Sequence, residues 1–528
     1  MRKRKVFNQF LLKNLIIWFF VLSYKLYARE IIKPYEIENW TIPESEIDRY
    51  VFSYLKKLNI KPSFPCSDEV FIRRIYLDTI GILPQPQEVI DFINDKNPDK
   101  RKIIIDKLLE KKEFAEYWSM KWADILRIKS EFPINLWPNG VQAYYMWILN
   151  SLKDNKPYDK FVRELLTSSG SNFRVPPVNF YRALQGRTPS SIASAVCLTF
   201  LGIRFEKLPK QIQDGMSNFF SKISYKKSLE WKEEIVYVNL ENEEALEATF
   251  PDGTKVKIQP NRDPREVFAD WLIRPENPYF SKNIVNRIWS WIFGRGIIHP
   301  PDDIGPHNPP IIPELLNYLE KELVNSNYNL KHIYRIIFNS RTYQQSFIPY
   351  EKNLENERYF ASYPVRRIEA EVLLDIINNI LGSGNEYVSQ IPEPFTFIPS
   401  EQRSVLLGDG SITGPFLELF GRPPRDTGYE SERSNKITEE QIRYLLNSSE
   451  LHRKIQSSSY IKTLIRETRG DKRKIVENIY LKLLSRYPME FEVELLFNYF
   501  SDTNIPLNQC IEDIIWALIN NKEFLYKH

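Results

Sequence analysis

The chain has 528 residues, of which 42% are apolar and 14% aromatic, and its formal net charge is +4. This length allows two or three domains with sizeable cores, and the composition excludes an intrinsically disordered protein. Basic and acidic residues nearly balance, so the charge gives no case for nucleic-acid binding. The three cysteines, Cys66, Cys197 and Cys510, lie far apart and have neither metal-ligand nor disulfide-framework spacing.

The N-terminus carries an export pattern. Residues 2–5 are all basic and residues 15–22 are wholly apolar. A charged start before a short apolar core is typical of a signal peptide, and the run is short for a membrane span. We therefore predict export to the periplasm or cell surface, with residues 1–28 either cleaved as a signal peptide or retained as an N-terminal anchor.

Residues 44–221 have helical periodicity, which predicts an N-terminal helical domain. Ser67 is a suitable N-cap for a helix that Gly81 would end, and Pro84 and Pro86 precede the next one. The predicted helices span residues 47–57, 70–81, 98–128 (one or two helices), 140–150, 158–166 and 189–202.

The pattern changes in residues 222–262. Residues 235–240 and 254–259 are rich in β-branched residues, and Pro251, Asp252 and Gly253 are typical of a turn between them. We predict a small β-hairpin insert that separates two helical domains.

Helical periodicity resumes in residues 263–528, which predicts a C-terminal helical domain and a mainly α protein. One predicted helix begins at about residue 283 and ends at Gly294, and another begins near Pro313. The remaining predicted helices span residues 264–273, 330–338, 366–381, 437–446, 474–485, 491–500 and 510–525.

A proline-rich loop between two of these helices is a candidate polar centre. Asp302, Asp303, His307 and Asn308 lie in it, and Asn286 and Arg287 lie on the preceding helix. Carboxylate and imidazole are ordinary ligands of a divalent cation, but the same residues beside prolines also satisfy turn backbone. We predict no metal here.

A second polar loop contains Arg422, Arg425 and Asp426, and two prolines separate its arginines. Rigidly held guanidinium groups suit a carboxylate, phosphate or sulfate. The alternative is internal pairing with Asp302, Asp303 or Glu430. We take the second alternative as a hypothesis: the two loops meet through carboxylate–guanidinium bonds.

Tryptophans are plentiful, and two interpretations remain open. An exposed row of rings would stack on sugars, whereas rings at helical spacing are typical of a core, which we favour. The tryptophans concerned are Trp118, Trp122, Trp137, Trp147, Trp289 and Trp291.

Several long motifs together resemble a known family. They include FIRRIYLDTIGILPQPQEV (71–89), LGIRF (201–205), NIVNRIWSWIFGRG (283–296) and LFGRPPRDT (419–427). The chain resembles secreted planctomycete-type proteins in which a cytochrome c-like domain of unknown function precedes a C-terminal companion domain. The resemblance implies no settled biochemical activity.

The chain departs from that family at both of its cysteine motifs. Many members have a Cys-x-x-Cys-His haem motif soon after LGIR, but residues 206–215 contain neither cysteine nor histidine. Tyr429 and Ser431 stand where a second, Cys-x-Cys motif would lie. Since c-type haem needs both thiols and the histidine, we predict no covalent haem and no cofactor.

Three functional hypotheses follow from the sequence. The first is an exported, non-haem binding or assembly component with an envelope or surface protein as its partner. The second is a polysaccharide hydrolase that uses the Asp302, Asp303, His307 and Arg425 centre. The third is electron transfer, which the family resemblance suggests and the missing cysteines oppose.

Overall fold

The fold was obtained as a computed structural model that describes residues 30–241, 244–351, 357–399, 401–501 and 505–528. Helices dominate it, and the strands are few and short, so the mainly α prediction is confirmed. The predicted export segment lies outside the described residues. Within those ranges, no helix is both long and apolar enough to cross a membrane.

The first half of the chain forms helices close to the predicted positions. The Ser67 hydroxyl accepts a hydrogen bond from the Val70 amide, and Gly81 ends the same helix with a φ of 62°. The α-helices here are α1 (Glu46–Lys57), α2 (Asp68–Ile80), α3 (Pro86–Asn94), α4 (Lys100–Leu109), α5 (Lys112–Ile125), α6 (Pro138–Lys153), α7 (Tyr158–Thr167), α8 (Pro189–Val196) and α9 (Lys210–Ser217).

The β region differs from the predicted single hairpin. Strand β3 (Glu234–Val238) pairs with β2 (Ile223–Lys227) and with β1 (Gly170–Ser171), both antiparallel. Strand β4 (Leu246–Thr249) pairs with β5 (Lys255–Ile258). The two predicted strands therefore exist but do not pair with each other: the Pro251–Gly253 turn joins β5 to β4, a strand that the sequence pattern did not reveal.

The second half is again helical. Helix α11 ends before Gly294, whose φ is 69°, and α12 begins at Pro313, both as predicted. The α-helices are α10 (Pro264–Leu272), α11 (Phe280–Phe293), α12 (Pro313–Asn325), α13 (Leu330–Phe338), α14 (Ala370–Leu381), α15 (Pro415–Leu419), α16 (Glu439–Asn447), α17 (Ser449–Gln456), α18 (Ser459–Thr468), α19 (Lys472–Leu484), α20 (Glu490–Phe500), α21 (Leu507–Ile519) and α22 (Lys522–Leu525).

One continuous apolar core runs through both helical halves. Its centre contains the rings of Trp118 and Trp122 on α5, which lie 5.5 and 6.0 Å from the ring of Trp291 on α11. Trp289 is also buried, so the core interpretation is confirmed for these four tryptophans. Trp147 packs partly buried against the core, whereas Trp137 lies outside it.

The C-terminus closes the fold against the N-terminal half. Strand β7 (Tyr526–Lys527) pairs with β6 (Arg366–Arg367). Arg74 of α2 donates to the carbonyl oxygens of Tyr343 and His528, and Arg73 donates to that of Leu483. Because these buried arginines donate hydrogen bonds to distant backbone, separating the two halves would remove those partners from buried charges.

Candidate functional site

Arg287 of helix α11 anchors the proline-rich loop through an ion pair with Asp302. The Arg287 guanidinium lies 2.8 Å from an Asp302 oxygen, and both side chains are buried. The other Asp302 oxygen accepts a hydrogen bond from the Glu430 amide at 2.7 Å. Burial raises the pKa of Glu430, whose carboxylate accepts the Trp291 indole N–H at 3.0 Å. Asp302 is thus held inside the protein and is closed to a substrate.

Asn286 ties the loop to helix α11. Its amide donates to the Ile298 carbonyl oxygen at 3.0 Å and accepts from the Ile298 amide at 2.8 Å. Both polar ends of the Asn286 side chain therefore satisfy buried backbone, which is a structural role.

Asp303 points the other way, to the rim of the loop. Lys207 Nζ lies 2.7 Å from its carboxylate and His307 Nε2 lies 3.0 Å from it. Asn308 donates to the Asp303 carbonyl oxygen. Partial burial opposes ionisation, but the hydrogen bonds from Lys207 and His307 outweigh it and lower the pKa of Asp303. This cluster is an ion-pair network at the surface, in which Lys207 and His307 are about half exposed.

The arginines of the second polar loop reach different partners from those predicted. Arg425 Nε donates to Asp124 of α5 at 2.9 Å, and Arg422 Nε lies 3.5 Å from Glu371 of α14. Arg433 bridges the two carboxylates, with contacts of 2.8 and 2.7 Å. Arg422 and Arg433 hold the pKa of Glu371 below its ordinary value although burial opposes them.

The hypothesis that these loops meet is therefore only partly correct. They do meet, at the contact between Asp302 and the Glu430 amide, but no ion pair between Asp302 or Asp303 and Arg422 or Arg425 occurs among the described residues. Arg287 of α11 pairs with Asp302 and Lys207 with Asp303, while α5 and α14 supply the carboxylates for the two arginines. Asp426 lies at the edge, 2.7 Å from Lys129.

A further buried cluster was missed by the sequence analysis. Lys527 lies 3.2 Å from Asp78 and 3.0 Å from Glu369, and Lys121 lies 3.1 Å from Glu369. Tyr117 donates to Glu369 at 3.1 Å. The available signal was Asp78, a carboxylate among apolar neighbours of α2. These charges compensate one another and join α2, α5 and the C-terminus.

An open cavity lined by both apolar and polar side chains lies away from these clusters. Its volume is about 240 Å³. We call it the Asp375 cavity. It is lined by the loop at residues 82–85, helix α14, residues 383–385 and 401–403, and Lys482. The amides of Asn378, Asn379 and Gln85 and the charged Asp375, Arg403 and Lys482 give it hydrogen-bonding groups of both kinds.

Asp375 has an unusual environment in this cavity. It accepts hydrogen bonds from the backbone amides of Ser404 and Val405, and Arg403 Nε lies 3.6 Å away. Burial nevertheless raises the pKa of Asp375 to about 6. A buried carboxyl group with a shifted pKa inside a cavity is a frequent property of functional sites.

The arginine beside it is held by two carboxylates, and a lysine completes the cavity wall. Arg403 Nη1 donates to Glu116 at 2.6 Å, whereas its buried Nη2 makes no hydrogen bond. Lys482 donates to Gln85 at 3.0 Å, and burial lowers its pKa. Lys482 has no carboxylate within ion-pairing distance among the described residues, so an acidic group in the cavity would pair with it. The sequence analysis assigned Asp375 only to a helix and did not identify this site.

The residues do not fit a covalent haem. Residue 205 is followed by a segment without cysteine or histidine, and Arg204 instead stacks over the Tyr429 ring at 4.3 Å. Arg204 of the LGIRF segment is therefore a neighbour of Tyr429, one of the two residues that stand where the resembled family has its second cysteine motif. Cys197 is buried, and burial raises its thiol pKa. Among the described residues, no three His, Cys, Asp or Glu side chains are gathered as metal ligands.

The fold and these clusters define a mainly α protein of two interlocked segments with buried charge networks. Residues 46–204 match the family described as PSCyt2, protein of unknown function (DUF1549), and residues 264–500 match PSD1, protein of unknown function (DUF1553). The chain thus carries these two domains as a pair, which confirms that part of the resemblance. No curated protein and no solved structure matches the chain.

Proposed function

We propose that this protein is an exported, non-haem binding component of an extracytoplasmic or surface complex, of the secreted planctomycete type that its sequence resembles. The observation that supports binding is the contrast between two kinds of polar site. The charged groups of the predicted centre are held in ion pairs with Arg287, Asp124 and Lys207, whereas the Asp375 cavity is open and presents Lys482 and the amides of its lining residues.

This contrast also bears on the hydrolase alternative. A hydrolase of that kind needs carboxylates that reach a substrate and are not all neutralised by cations. Asp302 is buried against Arg287, and Asp303 is bound by Lys207 and His307 on an open surface. The geometry therefore gives no support to a hydrolytic centre at these residues.

The ligand we propose for the Asp375 cavity is a small carboxylate-bearing molecule. Its carboxylate would accept from Lys482, and its hydroxyl groups would bond the amides of Asn378, Asn379 and Gln85. A cavity of about 240 Å³ admits only a small ligand.

Calorimetric titration with galacturonate and with citrate tests this proposal. The exposed Asn379→Trp variant fills the cavity, and Asn498→Trp places the same residue on the exposed surface of α20 as a control. We expect saturable binding by the wild type and the control and none by Asn379→Trp. If the wild type binds neither galacturonate nor citrate, or if all three proteins bind equally, the assignment of the cavity is wrong.

The export part of the proposal needs its own measurement. Native protein should fractionate outside the cytoplasm, with an N-terminus near residue 29 or with Met1 retained in the membrane fraction. An intact, cytoplasmic protein would refute export while leaving the cavity proposal open to its own test.

A further inference from the structure

Trp137 has a backbone conformation that is rare for a bulky residue. Its φ is 66° and its ψ is 150°, a region that is almost restricted to glycine. It precedes α6 and lies outside the apolar core. A strained conformation persists only when the surrounding structure holds it, and such residues are concentrated at functional sites. The contacts of the indole ring show which surface this conformation helps to build.

The Trp137 ring meets side chains from two other segments. Lys232 Nζ lies 5.2 Å from its centroid, and the Phe395 ring lies 5.3 Å from it. Lys232 also has a positive φ, of 62°, in the turn between β2 and β3. The same ammonium group lies 5.4 Å from the Trp231 ring. Two residues with unfavourable backbone conformations thus bring one cation between two indole rings.

We call this group of Trp137, Trp231, Lys232 and Phe395 the aromatic platform. Trp231 is 69% exposed and Phe395 is 48% exposed, so the apolar rings face solvent. Three separate segments build it: the turn before α6, the β2–β3 turn and the loop after α14. Exposed aromatic groups brought together in this way are typical of a binding surface.

The charges around the platform indicate which kind of ligand it binds. Arg174, which follows β1, pairs with both Glu230 and Glu233 of the β2–β3 turn, so both carboxylates are already engaged. Lys232 has no carboxylate within ion-pairing distance among the described residues, and its ammonium stays available beside the indole rings. A matching ligand presents an apolar ring face next to a negative group.

We propose that the aromatic platform binds an anionic polysaccharide. The C–H face of a sugar ring would pack on the Trp231 indole, and its carboxylate or sulfate group would pair with Lys232. This surface is separate from the Asp375 cavity, so the two proposals can fail independently. The proposal also places Trp137 in a binding surface, where its ring supports Lys232 and Phe395, whereas the core interpretation of the sequence placed it inside.

Affinity electrophoresis through gels that contain polygalacturonate tests the platform. Neutral dextran and sulfated carrageenan serve as parallel gels. We expect polygalacturonate to retard the wild type and dextran to leave it unretarded. Trp231→Ala and Lys232→Ala should each raise the dissociation constant about tenfold or more, equivalent to about 1.4 kcal/mol.

The control variant is Phe491→Ala, which removes another exposed ring, on helix α20. It should migrate like the wild type, and all variants should keep the wild-type melting temperature because these side chains are exposed. Retardation by carrageenan as well would extend the same charge-based recognition to sulfate groups.

Three results would overturn the proposal. The first is no retardation in either anionic gel. The second is equal retardation by dextran together with an unchanged Lys232→Ala variant, which would indicate recognition without charge. The third is that the protein binds no glycan but binds a surface protein, and that Trp231→Ala abolishes this binding. The platform would then be a protein-docking surface.

Discussion

Arg425 donates a hydrogen bond from Nε to Oδ1 of Asp124 at 2.9 Å, although 301 positions separate the two residues in the chain. Arg425 is fully buried and also donates to the carbonyl oxygen of Gly408 at 2.6 Å. The contact joins the N-terminal and C-terminal halves in the interior, where solvent does not screen it.

The first prediction concerns the stability that this contact provides. Arg425→Ala leaves Asp124 with Arg433 alone and removes a buried guanidinium from its backbone acceptors. Breaking one partner of a buried pair costs about 3–5 kcal/mol of unfolding free energy. We expect a clearly lower melting temperature and urea midpoint than for Arg443→Ala, which removes an exposed arginine of α16. Equal melting of both variants at the wild-type temperature would contradict the structural role of Arg425.

The sequence predicted that Arg425 pairs internally, but with the wrong residues: it named Asp302, Asp303 or Glu430, and the partner is Asp124. Local pattern locates helices because their apolar spacing repeats within one segment, and α11 and α12 lie where that spacing placed them. Ion-pair partners depend on how distant segments pack, and Asp124 carries no local signal that identifies Arg425. The same reason explains the pairing error in the β region, where β5 pairs with β4 rather than with β3.

The second prediction follows from the pKa of Asp375. Burial raises it to about 6, so the folded protein binds this proton more tightly than the unfolded chain does. The contribution of Asp375 to stability is therefore full below the unfolded pKa of about 4 and is lost as the pH rises through 6. Relative to Asp375→Asn, the unfolding free energy of the wild type should fall by on the order of 3 kcal/mol over this window.

Urea unfolding of both proteins at four pH values checks this dependence. Glu439→Gln, a change of an exposed carboxylate on α16, is the matched control. It should follow the wild type at every pH. Parallel curves for the wild type and Asp375→Asn would mean that Asp375 titrates normally.

The third prediction concerns the cysteines. Cys66, Cys197 and Cys510 are all buried, and burial raises the thiol pKa of Cys197, which suppresses the reactive thiolate. Native protein should therefore show no fast reaction with a chromogenic thiol reagent, and all three thiols should react after unfolding. A rapid burst in the native protein would show that at least one thiol is accessible.

The Asp375 cavity shows where the sequence analysis of the site was insufficient. Asp375 interrupts an otherwise apolar run on α14, between Leu374 and Ile376, and a carboxylate in such a run is a usable signal of a buried site. Its cavity partners come from four other segments, so their convergence could not be derived from one pattern. The polar residues of the proline-rich loop are adjacent in sequence and therefore suggest a site. In the structure, Asp302 and Asp303 are instead paired with other protein side chains.

The fourth prediction compares the neighbours Asp302 and Asp303, which face opposite ways. Asp302→Ala leaves Arg287 buried without its carboxylate, and this should cost about 3–5 kcal/mol of unfolding free energy. Asp303→Ala breaks an exposed network in which Lys207 and His307 remain hydrated, and this should cost about 1 kcal/mol or less. Urea unfolding of the two variants under one buffer condition measures the difference directly. Added salt should weaken the Asp303 contribution and leave that of Asp302 nearly unchanged, because only exposed charges are strongly screened. If Asp303→Ala were the more destabilising change, Asp303 and not Asp302 would be the buried side chain. The assignment of Asp302 to the buried ion pair would then be wrong.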